Sequence, residues 1–507
     1  MSVKLTLLPS GEAMQVPLGT LLKDALPQGS VELICSGLGT CGKCRVQIIS
    51  GLVPPTAHEQ ALLSGQQLRM GIRLACSYQL WQDTEVLLPP RETTASAQWL
   101  DCLPEQTSPN LLLAVDLGST NLKLALLSQG EWEIVAQAQV SNRQKMFGAD
   151  VLSRQHFANE HPQGRRLMQL LVVESLNHGL RLLRQEAPTP FSITRVAIAG
   201  NSVMLALLLG LQFTAGVDVA KLVREYPLAQ APATDLGLDV DESAQLCLLP
   251  PLANYVGSDM LACILTSDFG SGTEPALIVD IGTNVELALG TQEGIFVCST
   301  AAGPAFEGGE ISCGMSATLG AVHTVTWAAD HYQVQTIDNA PAIGVCGSGL
   351  FSAIAAARDN NQLAANGRLA STELRLTAHV ALTQHDIRQF QLAKAAVRTG
   401  IDILLAQAEI SVDAITAVYL AGDFGKHVAV PDLVACGLLP EELVGSVAKI
   451  ERGCIEGIIR YCRQNTEAVA ALLARIEHVE LAAQLAFQER FVANMLIGPA
   501  VPYREVE

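Results

Sequence analysis

The chain has 507 residues, 49% hydrophobic and only 16% charged, with a net charge of −18. That length suits about two to four domains with sizeable cores, and the acidic balance argues against nucleic acid as a main partner, because no large basic surface is available to neutralise phosphates. The longest apolar run, residues 203–211, stops at Gln212, well short of the ~20 residues of a membrane span; the start shows no basic segment leading into an apolar stretch, so neither a membrane partner nor a secretory signal is expected.

Residues 1–88 read as a small α+β domain. VKLTLL, a PSGE turn and AMQVPL form a hairpin, TLLKDAL a short helix, and RVQIISG and TEVLLP further strands, which together predict a β-grasp fold. CSGLGTCGKC, between helix and third strand, carries Cys35, Cys41 and Cys44, and Cys76 follows in LACSYQL. The spacing C-x5-C-x2-C-x31-C is close to the C-x4-C-x2-C…C of plant-type [2Fe–2S] ferredoxins, with one extra residue in the first gap. The glycines of the loop let backbone N–H groups turn toward the sulfurs. A zinc site is an alternative, although such sites usually bring two C-x2-C pairs and this chain has one; a reactive thiol pair is another. The remaining nine of the 13 cysteines are scattered singly and read as small core residues.

Residues 89–109 are rich in Pro, Ser and Thr and read as a flexible linker. Beyond them the chain repeats a pattern. LLLAVDLGSTNLKLALL and ALIVDIGTNVELALG each run apolar strand, Asp, apolar, Gly, Ser or Thr, then a second strand. Each is a hairpin whose turn suits a nucleotide. Gly118 and Gly282 allow close backbone approach, Ser119, Thr120, Thr283 and Asn284 offer hydrogen bonds to phosphate oxygens, Asp116 and Asp280 suit Mg²⁺ directly or through water, and Lys123 is placed to meet a phosphate. The duplication divides the rest of the chain into a first half with a middle domain, 110–272, and a second half, 273–507.

These paired turns resemble the phosphate motifs of the actin, sugar kinase and Hsp70 superfamily, whose duplicated RNase H-like halves clamp ATP in an α/β core. VYLAGDFG resembles its adenosine motif, which implies Gly422, Asp423 and Gly425 near the nucleotide. VGSDMLA resembles the helix between halves, implying that Asp259 polarises the attacking water; an N-terminal helix cap is the plainer role for that residue. With the iron–sulfur domain in front, the whole chain resembles the reductive activators of corrinoid proteins (the RACo-like family). CSGLGTCGKC, NRQKMFGADVLSR, STAAGPAFEGGEISCGM and GVCGSGLFSAI carry that likeness. Val285, Ala206 and Asp423 stand where the family carries Gly, His and a small residue, and residues 444–453 lack its Val-Gly-Asn segment. The resemblance implies a cytoplasmic, ATP- and Mg²⁺-dependent enzyme that passes one electron from a [2Fe–2S] cluster to Co(II) of a corrinoid methyltransfer protein. It further implies a low-potential electron donor and a homodimeric assembly. GPAFEGGE reads either as a tight loop or as a loop facing nucleotide or partner through Glu307, and CGSGL as a close-packed helix start or an anion site. The alternative functions are an iron–sulfur electron carrier, or an activator of another low-potential enzyme, with a degenerate ATPase core; a small-molecule kinase is a further rival.

Overall fold

Alternation of apolar and polar residues makes a strand with one buried face. In the computed structural model, β1 (Ser2–Leu8) buries Val3, Leu5 and Leu7 and leaves the residues between them at least partly exposed. The structure describes residues 2–498 apart from 9–10, 28–29, 32–43, 64–67, 69–70, 89–94, 101–109, 149, 161–163, 215–216, 227–230, 268, 270–273, 283 and 451. The chain forms two units, Met1–Thr93 and Thr94–Glu507.

In the first unit β1, β2 (Glu12–Pro17), β3 (Arg45–Ser50), β4 (Ile72–Leu74) and β5 (Thr84–Leu87) make one sheet in the order β2-β1-β5-β3-β4. β1 pairs antiparallel with β2 and parallel with β5, and β3 is antiparallel to both its neighbours. Leu22 of the short helix Leu22–Ala25 packs onto Leu5, Leu74 and Val86 in the core of this β-grasp domain. The helix Ala57–Leu62 opens with a capping box between Thr56 and Glu59. Glu59, only 1% exposed, also accepts from Leu74 N at 2.9 Å, so this buried carboxylate is well partnered.

The second unit holds two six-stranded sheets. The first contains β6 (Ser96–Trp99), β7 (Asn110–Leu117), β8 (Asn121–Ser128), β9 (Ile134–Ser141), β10 (Ser192–Gly200) and β11 (Gln245–Leu248), in the order β11-β10-β7-β8-β9-β6. After β12 (Ala276–Ile281), β13 (Val285–Gly290) and β14 (Ile295–Thr300) come a three-stranded sheet of β15 (Ala321–Ala328), β16 (His331–Thr336) and β17 (Gly344–Val345), and a hairpin of β18 (Glu373–Arg375) and β19 (Ala381–Thr383). β20 (Ala417–Ala421), β21 (Val447–Lys449) and β22 (Ile476–His478) complete the second large sheet, β21-β20-β12-β13-β14-β22. In both sheets an antiparallel three-strand meander is followed by two strands parallel to its first. The duplication in sequence is therefore a duplication of topology. Only the outer strand differs: β6 is antiparallel to β9, whereas β22 is parallel to β14.

Two findings depart from the sequence expectation. Part of the linker is a strand: residues 96–99 pair with β9, and Trp99 donates its indole N–H to Leu183 O at 3.1 Å. The alternation of SAQW, with Ala97 and Trp99 turned to the core, outweighs the turn-prone residues around it. The core also ignores the division at 272. The helix Gly453–Arg463 places Ile455, Ile458 and Ile459 against Leu112, Ala114 and Ala197 of the first sheet. The helix Ser258–Thr266 places Met260 and Ile264 against Ile278, Ala288 and Val297 of the second. Each half thus lends the other a helix, and both helices start beside the paired turns.

Candidate functional site

Two cysteines of the predicted cluster set are described. Cys44 directly precedes β3 and Cys76 follows β4, whose Leu74 pairs with Arg45. Ala75 N donates to Cys44 O at 2.8 Å, which holds the two segments together, and both cysteines are buried, at 2% and 8% exposure. The sheet thus brings two of the four predicted cluster cysteines close together at one end of the domain. Cys35 and Cys41 lie outside the described residues.

The first of the paired turns is shaped from behind. Asn142 Nδ2 donates to Gly118 O at 3.0 Å, Arg154 Nη1 to Ser119 O at 2.7 Å, and Asn142 N to Thr120 O at 2.9 Å. In a trans peptide N–H and C=O point in opposite directions. Three successive carbonyls drawn inward therefore turn the N–H groups of Ser119 and Thr120 outward, an arrangement suited to an anion. Arg154 is fully buried, and burial pulls its guanidinium down to about 10. Both supporting residues sit in NRQKMFGADVLSR, the stretch that carries part of the family likeness but was given no role in the sequence.

Three half-buried carboxylates face one another at the base of the turns: Asp116 ends β7, Asp280 ends β12, and Asp259 lies in the first turn of the helix Ser258–Thr266. Gly257 is the N-cap of that helix, and Asp259 in its first turn accepts from Met260 N at 3.0 Å, so it also serves the helix start. Burial first, then Asp280 and Asp116, hold the Asp259 carboxyl well above the usual carboxylate range. Burial and Asp116 push Asp280 up to about 6 against the pull of Lys123. Glu286 on β13 is 5% exposed and raised by burial, Asp259 and Asp280; it accepts from Asn201 Nδ2 at 2.9 Å and Gly257 N at 3.3 Å. The thiols of Cys263 and Cys454 donate to Asp280 and Asp116 and are themselves held far above the usual thiol range by burial.

This crowding has a measurable consequence. Between pH 3.8 and about 6 folded Asp280 keeps a proton that the unfolded chain has shed, so its contribution to stability falls as pH rises through that window. Asp259 extends the fall to higher pH. In nucleotide-free protein, Asp259→Asn is expected to remove part of the loss of thermal stability above about pH 6 relative to wild type, read from melting curves across about pH 5–8.

The second turn has Gly282 and Asn284 half-buried; Thr283 lies outside the described residues. β20 runs beside β12 and pairs Ala421 with Asp280. Gly422 then turns with φ 81°, and a Cβ there would lie 2.6 Å from Asp280 Oδ1, so only glycine brings the backbone this close. Gly425 is buried in the helix Gly422–His427 that follows. Asp423 in that helix reaches across to the first half: its Oδ1 lies 2.5 Å from Lys123 Nζ and 3.1 Å from Lys426 Nζ. Lys123, the cross-strand partner of Asp116, is also 3.7 Å from Asp116 Oδ2. Burial works against its charge, but Asp116 and Asp423 outweigh burial and hold the ammonium above its usual range.

GPAFEGGE forms a tight turn, with Gly309 N donating to Pro304 O at 2.8 Å, and also meets the first hairpin, where Thr120 Oγ1 donates to Glu307 at 3.2 Å. CGSGL resolves in favour of close packing: a Cβ on Gly347 would lie 1.9 Å from Phe306 O. Sequence reasoning gave no role to Asn142, Arg154, Asn201 or Glu286, and read Cys263 and Cys454 as small core residues, which are buried, without their place beside the carboxylates. Glu286 left a signal, a lone acid within the apolar run VELAL. Among the described residues no three His, Cys, Asp or Glu side chains converge as a direct metal site, and no helix is long and apolar enough to cross a membrane.

Comparison with known proteins covers nearly the whole chain. Residues 5–80 match the 2Fe-2S iron-sulfur cluster binding domain, residues 111–271 the RACo middle region, and residues 274–503 the C-terminal domain of RACo, the ASKHA domain. The corrinoid activation enzyme RamQ of Eubacterium limosum is 28% identical over 437 residues, 79% of this chain and 73% of that protein. The [Co(II) methylated amine-specific corrinoid protein] reductase of Methanosarcina barkeri is 24% identical over 65% of each chain, so the match spans just under two thirds of that relative. A solved reductive activator for corrinoid, iron-sulfur protein aligns over 98% of both chains with a TM-score of 0.66 and 23% identity, which shows a shared fold.

Proposed function

The chain belongs to the RACo family, and from that premise we propose that it is an ATP-dependent reductive activator, passing one electron from a [2Fe–2S] cluster to Co(II) of a corrinoid methyltransfer protein to regenerate Co(I). The observation that carries this reading is the union, in one chain, of a cluster-type sheet with a cleft of paired phosphate-type turns, matched over most of its length by a protein named for corrinoid activation.

Cys35, Cys41, Cys44 and Cys76 hold the cluster. When bound it supplies a one-electron carrier near about −400 mV, the range of plant-type centres. Ser119, Thr120, Thr283 and Asn284 bind the phosphates, with Gly118 and Gly282 allowing their approach, and Lys123 neutralises charge on them. Asp116 and Asp280 would hold the Mg²⁺ of the triphosphate, directly or through water. Asp259 orients the attacking water, and the turn from Gly422 to Gly425, with Asp423 within it, borders the nucleotide. A low-potential donor refills the cluster, and the protein works in the cytoplasm as a homodimer.

ATP is needed because the electron moves toward a centre of lower potential. For one electron, every ~59 mV of mismatch is a factor of ten in the equilibrium, about 1.4 kcal/mol. Nucleotide binding and hydrolysis shift that balance only through different affinities for the states before and after transfer. The test is ATP turnover with and without the partner. The protein is expected to release ADP and inorganic phosphate, faster with the Co(II) corrinoid protein present; a phosphorylated metabolite as product would overturn the reading in favour of a kinase.

A further inference from the structure

The lysine best placed to meet a phosphate already has a carboxylate on it. Lys123 comes from β8 in the first half, Asp423 from the helix Gly422–His427 in the second, and their charged atoms lie 2.5 Å apart although 300 residues separate them in sequence. The contact therefore spans the cleft between the two sheets. Asp423 is also held 3.1 Å from Lys426, one turn further along its own helix. On the other side of Lys123 stands Asp116 at 3.7 Å. The ammonium is thus shared between a carboxylate at the base of the cleft and one at its mouth. The Asp423 side chain is 48% exposed and that of Lys123 26%, so the pair can separate without opening the core.

We propose that Asp423 is an internal competitor for nucleotide: its carboxylate occupies Lys123 in the nucleotide-free protein, and the phosphate chain of ATP must displace it to bind. This rests on the reading of the cleft as an ATP site. A carboxylate and a phosphate oxygen are both anionic acceptors of the same ammonium N–H groups, so they exclude each other at one position. A site that is free only part of the time binds with its affinity reduced by that fraction. Lys426 stabilises Asp423 wherever it sits, and is placed to hold it after displacement. The pair is thus a contact between the two halves that nucleotide binding would break.

The test is calorimetric titration of full-length protein with MgATP. Asp423→Asn is expected to tighten binding at least fivefold and Asp423→Ser to do the same, whereas Asp423→Glu, which keeps a competing carboxylate, is expected to tighten it less than either. In a Lys123→Met background, Asp423→Asn is expected to change nothing further, since the competition has lost its object. Weaker or unchanged binding by Asp423→Asn and Asp423→Ser, with wild type binding normally, overturns the competitor and leaves the ATP site standing. Binding by neither wild type nor variants overturns the ATP site itself and the competitor with it. A thermal melt of each variant checks that the fold is retained.

Discussion

Cys76→Ser is expected to bleach the visible iron–sulfur absorption and to reduce electron transfer to background, while MgATP binding persists. Loss of a partner that merely supports a metal ligand weakens a site by about 10–100-fold, and loss of the ligand itself exceeds that. Cys76 belongs to the buried end of β3 and β4, where Ala75 is tied to Cys44. The paired turns lie in the other unit of the chain, so none of their residues is altered by this substitution. Iron content by elemental analysis and MgATP affinity by calorimetry check the two halves of the expectation separately. An unchanged visible spectrum would remove Cys76 from the ligand set.

Asp280→Asn is expected to do the reverse: the cluster stays and ATP turnover falls by on the order of 10²–10³, the scale of losing one preorganised electrostatic group at a reacting centre. The same substitution is expected to raise the thermal midpoint of the nucleotide-free protein above about pH 6. There the wild-type carboxylate is ionised beside Asp116 in a buried setting, a repulsion that the neutral amide relieves. Higher stability with lower turnover is the pattern of a site that holds strain for function. Phosphate release and a melting curve at pH 7.5 measure both. Turnover that survived intact would move the reacting centre away from the paired turns.

How far these residues were legible depends on how local their geometry is. The turns at Asp116 and Asp280 declared themselves because a strand, an acid, a glycine and a hydroxyl residue within one hairpin fix their own arrangement. The β-grasp domain was legible for the same reason, from alternation in β1 and β5 and a short helix between hairpin and third strand. β6 was not: four residues amid turn-formers carry little pattern, and their strand exists because Trp99 finds Leu183 and Phe191 elsewhere in the fold. Contacts between Thr120 and Glu307, Asn201 and Glu286, and Lys123 and Asp423 join residues far apart in the chain, and nothing in spacing reveals them. Asp423 was visible as part of the adenosine-like motif and as a departure from a small residue there; its partner Lys123 became evident in three dimensions. The exchange of helices between the two cores was equally hidden, because Ile455 and Ile458 look the same to either sheet.

The coupling of the two sites is tested most directly by a single mixing experiment. Reduced protein is combined anaerobically with a corrinoid protein held as Co(II), and the cobalt spectrum is followed with and without MgATP. Co(I) is expected to accumulate only when MgATP is present. Equal accumulation in its absence would contradict the account, because the cleft would then play no part in moving the electron.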